Sequence, residues 1–382
     1  MMLMNYKKKI LFIINDATLG GGQIHVAQLM ERINHSQFLP FLACNPLGTF
    51  YPHYQQLAEK CLPISVNRGF SLFSIVRNVM SVLRIMRFIR QERIDIVHTH
   101  GGIAGLWGRL AAMLCNTVVF HTLHGIHYLH YRNPAAKLAF QVLERMLSSG
   151  TDRLICVSES DRLVGLKRHL FSDSQSVVIY NGIKKSKPKP AKVREEFGMS
   201  KKCRVIVHVA RLHYQKGQDV LLRAFQLVVR SIPDARLVIV GDGPLKSELM
   251  SLTRTLGLEL FVYFAGMRPD SCEIAAACEL FVLPSLWEGL PLAALEAMMS
   301  SLPIVATNVD GISELIHHKK EGLLVPTKNV ELLAEAMIGL LRDRMLAKKL
   351  GKEARKSVVS RFGLDRMVSQ TENLYLNTGR SP

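Results

Sequence analysis

The chain has 382 residues, more than one hydrophobic core usually supports, and its 48% hydrophobic and 7% aromatic content excludes a disordered chain and fits an aliphatic α/β protein. The formal charge of +18 does not choose among an acidic membrane, a nucleic acid, a phosphorylated acceptor and simple solubility. No apolar run reaches the ~20 residues that span a bilayer, and seven scattered cysteines, Cys272 and Cys278 among them, lack the close pairing of a zinc site and read as buried thiols of a reducing cytoplasm.

Lys7-Lys8-Lys9 and the apolar run 10–14 look superficially like a signal peptide, but Asn15-Asp16 closes the run early and without a small-residue cleavage site. A buried first strand at 10–15 is the better reading. Short apolar runs recur at 39–44, 94–99, 118–123, 154–158 and 177–180, with helical periods such as 23–33 and 72–90 between them. That alternation predicts a parallel sheet with helices on both faces. Residues 184–192, with Pro188 and Pro190, break the pattern and predict an exposed tether. The series restarts at 205–210 and continues at 237–241, 262–265, 280–284, 304–306 and 323–325. The predicted fold class is α/β: two Rossmann-like, doubly wound domains, 1–182 and 195–361, joined by a basic linker at 183–194 and facing a central cleft. The charge is uneven: residues 1–182 carry 19 basic against 10 acidic side chains, 183–194 six basic and no acid, and 195–382 only 24 against 21.

Four segments carry candidate chemistry. In Gly20-Gly21-Gly22-Gln23, after the first strand, glycines let backbone approach a phosphate with a helix start behind them. Such turns often only make room for packing, and the spacing is neither a dinucleotide fingerprint nor a Walker loop. His121, His124, His127 and His130 recur every three residues. The run invites a metal reading, but carboxylates and cysteines are missing nearby and no Asp-x-Asp occurs, so no metal and no cofactor is expected. In Ala210-Arg211-Leu212-His213-Tyr214-Gln215-Lys216-Gly217 the two cations, taken alone, would read as loop caps. The fourth segment runs from Pro284 to Met298. A strand ends at Pro284, a glycine turn follows, Pro291 stands where a first helical turn favours proline, and amides from Gly289 and Leu290 to Leu292 form a cradle for a diphosphate. Glu288 precedes that helix and Glu296 lies about 9 Å further along it, so one carboxylate reaches the hydroxyls of a transferred sugar and the other a ribose. The bland alternative makes Glu296 an ordinary helix residue.

In this order the segments resemble glycosyltransferase family 4, whose two glutamates separated by seven residues and Glu-Gly-Leu-Pro opening are matched from Glu288 to Glu296. The resemblance covers nearly the whole chain and implies a metal-independent, retaining enzyme of the GT-B fold that moves a hexose or N-acetylhexosamine from a nucleotide diphosphate sugar. It implies Arg211 and Lys216 on the donor diphosphate, Arg268 of Gly266-Met267-Arg268 at the base, and Gly20 and Gly21 facing the phosphate from the other domain. It further implies Gln23 toward the acceptor and His124 beside the reacting sugar, with the other three histidines left as loop or surface residues. His124, Arg211, Lys216 and Glu288 then carry catalysis, and the leaving diphosphate helps deprotonate the incoming hydroxyl. Residues 362–382 match a helix that crosses back to the first domain. Ala210 in place of Gly, and Gly125 in place of Asp, depart from the family pattern.

Val97-His98-Thr99-His100, the segment from Gly108 to Ala112, and the segment from His121 to Gly125 look like bacterial enzymes that extend lipid-linked surface polysaccharides. They imply a UDP-sugar donor and a polyprenyl-diphosphate-linked saccharide acceptor, used in the cytoplasm or at the inner face of the cell membrane. Segment 70–93 combines Leu72, Phe73, Ile75, Val76, Val79 and Ile85 with Arg77, Arg84, Arg87, Arg90 and Arg93, and predicts a helix either packed on its sheet or lying on an anionic membrane. Tyr128 and Tyr131 beside Arg132 would add an interfacial loop. Two rivals remain: a sugar-nucleotide epimerase of the same architecture, and a noncatalytic basic module. The latter has no use for Arg211, Lys216, Glu288 and Glu296 together, and no signature of nucleic-acid binding is present.

Overall fold

The structure, a computed structural model, describes residues 6–66, 71–131 and 133–378. It divides into two units, Met1–Gly182 with Leu364–Pro382, and Ile183–Gly363.

In the first unit β1 (Lys8–Asp16), β2 (Phe38–Asn45), β3 (Cys61–Pro63), β4 (Ile96–His100), β5 (Val118–Leu123), β6 (Arg153–Cys156) and β7 (Ser176–Val178) form one parallel sheet, ordered β3-β2-β1-β4-β5-β6-β7. Its strands are continuous apolar runs because both faces are covered. Ile10, Phe12 and Ile14 pack with Val26, Leu29 and Met30 on one face, while Leu11 and Ile13 pack with Val82, Ile85 and Ile89 on the other. The C-terminal helix Leu364–Asn377 adds Leu364, Met367, Val368 and Tyr375 to the first of these layers. The edge strand β3 has no counterpart in the sequence reading, since three residues are too few to show a pattern.

In the second unit β8 (Arg204–Val209), β9 (Ala235–Val240), β10 (Val262–Gly266), β11 (Leu280–Leu283), β12 (Ile304–Thr307) and β13 (Leu323–Val325) are ordered β10-β9-β8-β11-β12-β13. In each sheet the order reverses beside the first strand, between β1 and β4 and between β8 and β11. Loops there leave in opposite directions and open a crevice outside the strand ends.

Two segments depart from their sequence readings. Lys184, Lys185 and Lys187 are exposed, but the stretch ends inside the second unit: Ala191 N–H donates to Glu273 O (2.9 Å), Val193 is buried, and Arg194 pairs with Glu279. The helix Leu72–Glu92 is capped by Ser71 and is only half a conventional packed helix. Phe70 lies outside the described residues, as does Arg132. Val82, Ile85 and Ile89 face the sheet, so Ile85 does not belong to an outward apolar face. Toward the helix start it is Ser74, Asn78 and Ser81 that are buried, whereas Leu72, Phe73, Val76, Val79, Met80 and Leu83 are exposed. Among the described residues no helix is long and apolar enough to cross a membrane.

Candidate active site

In the second unit the loops after β8 and β11 meet because their strands are neighbours at the point of reversal. Gln215 joins them: its carbonyl accepts from Leu286 N–H (2.7 Å) and its carboxamide donates to Trp287 O (2.9 Å). Gly217 is left-handed (φ 63°), and a Cβ there would stand 2.3 Å from Pro284 O, so the close approach of the two loops requires glycine. Across this junction Lys216 Nζ lies 2.5 Å from Glu288 Oε1, which also accepts from Ser285 Oγ (2.6 Å). Glu288 N–H donates to Asp310 Oδ2 (3.1 Å). A buried Glu288 held at both side chain and backbone has one orientation, aimed at the Lys216 loop.

Arg211 is exposed on the same loop. Its carbonyl accepts from Gln218 Nε2 (2.9 Å), and the same amide nitrogen lies 3.2 Å from His208 Nε2. His208 Nδ1–H donates to Val282 O (2.8 Å), so Nε2 is the acceptor, and burial pushes the ring down to about 4, keeping it neutral. This buried strut fixes the Arg211 backbone.

The helix following Glu288 starts one residue later than expected. It spans Leu292–Met299 with Pro291 as its cap, because Pro291 sits at ψ 119°, outside the helical region. Its first internal bonds are donated by Ala294 and Leu295 to Pro291 O, leaving the amides of Leu292 and Ala293 without intrahelical acceptors. Glu288 stands before the helix, as the sequence reading has it, but the six residues counted from Leu290 to Glu296 are helical only from Leu292 on, so the axial rise of about 1.5 Å per residue covers only part of that span. Glu296 keeps some surface exposure as a residue, yet its carboxyl lies deep enough that desolvation raises it to about 7, against a lowering hydrogen bond with Cys272. Arg268 donates through Nε and Nη2 to the two oxygens of Asp270 (2.8 Å each) and through Nη1 to Glu196. Its guanidinium is thus taken by carboxylates and would have to change partners to meet a base.

In the first unit the helix Gly21–Arg32 begins inside the triglycine, with Gly20 as its extended cap and no acidic residue in its first turn. Gln23, expected toward an acceptor, donates its carboxamide to Asp16 Oδ1 (3.1 Å) at the end of β1. His98 and His100 are two apart on β4 and share a face. His25 from the helix and His124 after β5 join them: ring centroids are 4.2 Å apart for His98 and His100, 5.4 Å for His25 and His100, and 4.9 Å for His25 and His124. His100 Nδ1 lies 3.3 Å from His124 Nε2. His98 Nδ1 is 2.5 Å from the Tyr375 hydroxyl and its Nε2 2.7 Å from Thr122 Oγ1. Desolvation drives His25 to about 4 and His98, His100 and His124 well below the usual imidazole value, so the group is neutral.

Of the every-third-residue histidines, only His124 belongs to this group. His121 is not a surface residue: it is buried on the opposite face, 2.8 Å from Thr99 Oγ1, against Gly105. His127 and His130 are exposed on a 3-10 turn. Sequence reasoning missed His25, His98, His100, Ser285, Asp310 and Gln218 as members of these constellations. The one available signal was the paired His98 and His100 inside an apolar strand.

Residues 19–187 match the family described as Glycosyltransferase Family 4, and residues 191–357 that described as Glycosyl transferases group 1. The chain is 30% identical, over 94% of both chains, to the UDP-Gal:alpha-D-GlcNAc-diphosphoundecaprenol alpha-1,3-galactosyltransferase of Escherichia coli. It is 26% identical, over 92% of both chains, to the N-acetyl-alpha-D-glucosaminyl L-malate synthase of Bacillus anthracis. Among solved structures it matches HepE of Anabaena, crystallised with UDP and glucose, at a TM-score of 0.84 and 20% identity, covering 98% of this chain and 100% of that one, a likeness of fold. Two Rossmann-like units and kinship over nearly the full length place the chain in glycosyltransferase family 4, as a glycosyltransferase of the GT-B fold.

Proposed function

We propose that this glycosyltransferase is a retaining enzyme that moves a hexose or N-acetylhexosamine from a UDP-sugar to a polyprenyl-diphosphate-linked saccharide, in surface polysaccharide synthesis and without a metal. The observation that carries the reading is the Lys216–Glu288 pair, 2.5 Å apart where two loops meet at the point of strand reversal. A nucleotide diphosphate sugar offers each partner a replacement, phosphate oxygens for the ammonium and a sugar hydroxyl for the carboxylate. Donor entry then exchanges one ion pair for two polar contacts and strands no buried charge. Arg211 and the amides of Leu292 and Ala293 add positive charge and dipole for the departing diphosphate, and Glu296 takes the ribose. The UDP donor and lipid-linked acceptor are suggested by the E. coli relative, named for both, and by the UDP bound to HepE.

The exposed apolar start of Leu72–Glu92, followed by exposed Arg84, Arg87 and Arg90, supports docking on an anionic cytoplasmic leaflet where such acceptors reside. The test is a panel of UDP-sugars with and without polyprenyl diphosphate saccharides, in excess EDTA, with product anomers read by NMR. Lipid-linked product of retained configuration is expected. An inverted product, or rescue of EDTA-abolished activity by magnesium or manganese, would overturn the corresponding part, and isomerisation of UDP-sugar alone would indicate an epimerase.

A further inference from the structure

We propose that His25, His100 and His124, all three in the first unit, form a binding site for a borderline transition-metal dication such as Zn2+, Co2+ or Ni2+. One ring nitrogen from each lies within 4.8 Å of the others. One pair, His100 Nδ1 and His124 Nε2, is 3.3 Å apart, matching the separation of about 3.3 Å between two nitrogens bound tetrahedrally to zinc at ~2.05 Å. Closing the third ring onto the same centre asks for side-chain adjustment of the order of 1.5 Å from the widest separation. His25 Nδ1 is buried and carries no hydrogen bond, whereas the orphaned nitrogen of His100 is Nε2 and not the Nδ1 that faces His124. An orphaned nitrogen such as that of His25 is costly in a dry site and favours a partner that accepts its lone pair.

The neighbouring histidines are otherwise occupied. His98 uses both nitrogens on Tyr375 and Thr122, and His121 faces the opposite side of the sheet toward Thr99. Three imidazoles with no carboxylate among them suit zinc, cobalt or nickel and not magnesium or calcium, which demand oxygen. Neutral ligands leave the ion its full charge, so its fourth position takes water or an anion. His124 alone of the three keeps part of its surface in solvent and supplies the route of entry. Occupation would withdraw His124 from any sugar. That consequence rests on the placement of His124 beside the reacting sugar, whereas metal binding does not.

Co2+ titrated into the chelator-treated full chain should give the visible d–d bands of a four-coordinate site at one ion per chain. His25→Gln, His100→Asn and His124→Asn should each weaken binding by ~100-fold or more, while His127→Asn and His130→Asn on the exposed turn leave it unchanged. X-ray absorption on the wild-type zinc complex should count three imidazoles, a measurement that needs no variant to fold. Absence of stoichiometric binding, fewer than three imidazoles, or binding retained in the three site variants would overturn the proposal. Full transfer activity with the site filled would instead overturn the placement of His124 at the sugar and leave the metal site standing.

Discussion

Lys216 holds two relationships, one with Glu288 and one, as proposed, with the departing diphosphate. Negative charge on that group grows as the glycosidic bond breaks, so a fixed cation is worth most at the transition state. Lys216→Ala should therefore cut single-turnover transfer about a hundredfold, ~3 kcal/mol, with a smaller change in donor affinity. It also leaves Glu288 buried with Ser285 as its remaining side-chain donor. The double variant Lys216→Ala/Glu288→Gln, which removes that stranded charge, should be more stable than Lys216→Ala yet no more active. Restored turnover in the double variant would make Lys216 merely the counter-ion of Glu288.

Glu296 gives a pH signature. Its folded value of about 7 stands above the 4.5 of the free carboxyl, so the protein loses stability from this group as pH rises through that window. Glu296→Gln should remove the loss. Measured by urea unfolding from pH 5 to 8, wild type should fall relative to the variant by on the order of 2 kcal/mol. A constant difference across that range would mean that the carboxyl is not desolvated.

At the scale of one element, the helix Leu72–Glu92 separates two requirements that a packed helix normally combines. Its second half anchors through Val82, Ile85 and Ile89, whereas Phe73, Val76 and Met80 near its start contribute nothing to the core. Replacing those three by serine should change the unfolding free energy by no more than ~1.5 kcal/mol, because each single exposed change is usually within about 0.5. The same variant should lose co-sedimentation with anionic vesicles, and wild-type binding should weaken as salt rises through the physiological range. A variant that keeps vesicle binding, or loses several kcal/mol of stability, would return the helix face to an ordinary packing role.

At the scale of the molecule, the chain's last described helix belongs to the core of the first unit. Tyr375, Met367, Leu364 and Val368 are all nearly inaccessible there, and Tyr375 also meets the buried His98. Tyr375→Phe keeps the packing but leaves His98 Nδ1 without its hydroxyl, at a cost of roughly 1–3 kcal/mol. Removing residues 364–382 forfeits all four side chains, each worth about 1.5–3 kcal/mol of burial. That truncation should unfold the first unit, read as loss of its protected amides in hydrogen exchange, while the second unit, whose core draws on none of these residues, retains its own.

Much of this architecture is local information. Strands buried on both faces need runs such as Ile10 to Ile14 or Phe281 to Leu283, and such runs between helical periods are visible in one dimension. The segments around Lys216 and Glu288 stand out because each is a short loop after a strand with its polar residues close together, but the cations alone read as loop caps, and a donor role for them comes only from the resemblance to the family. What the sequence left undecided depends on which strands become neighbours. Lys216 meets Glu288 because β8 lies beside β11, and His98 and His100 meet His124 because β4 lies beside β5. Tyr375 reaches His98 across 277 positions only because the final helix returns to the first sheet. Nor did composition tell which side of Leu72–Glu92 is covered: periodicity records that a helix has two faces, and only the sheet against it decides which is buried.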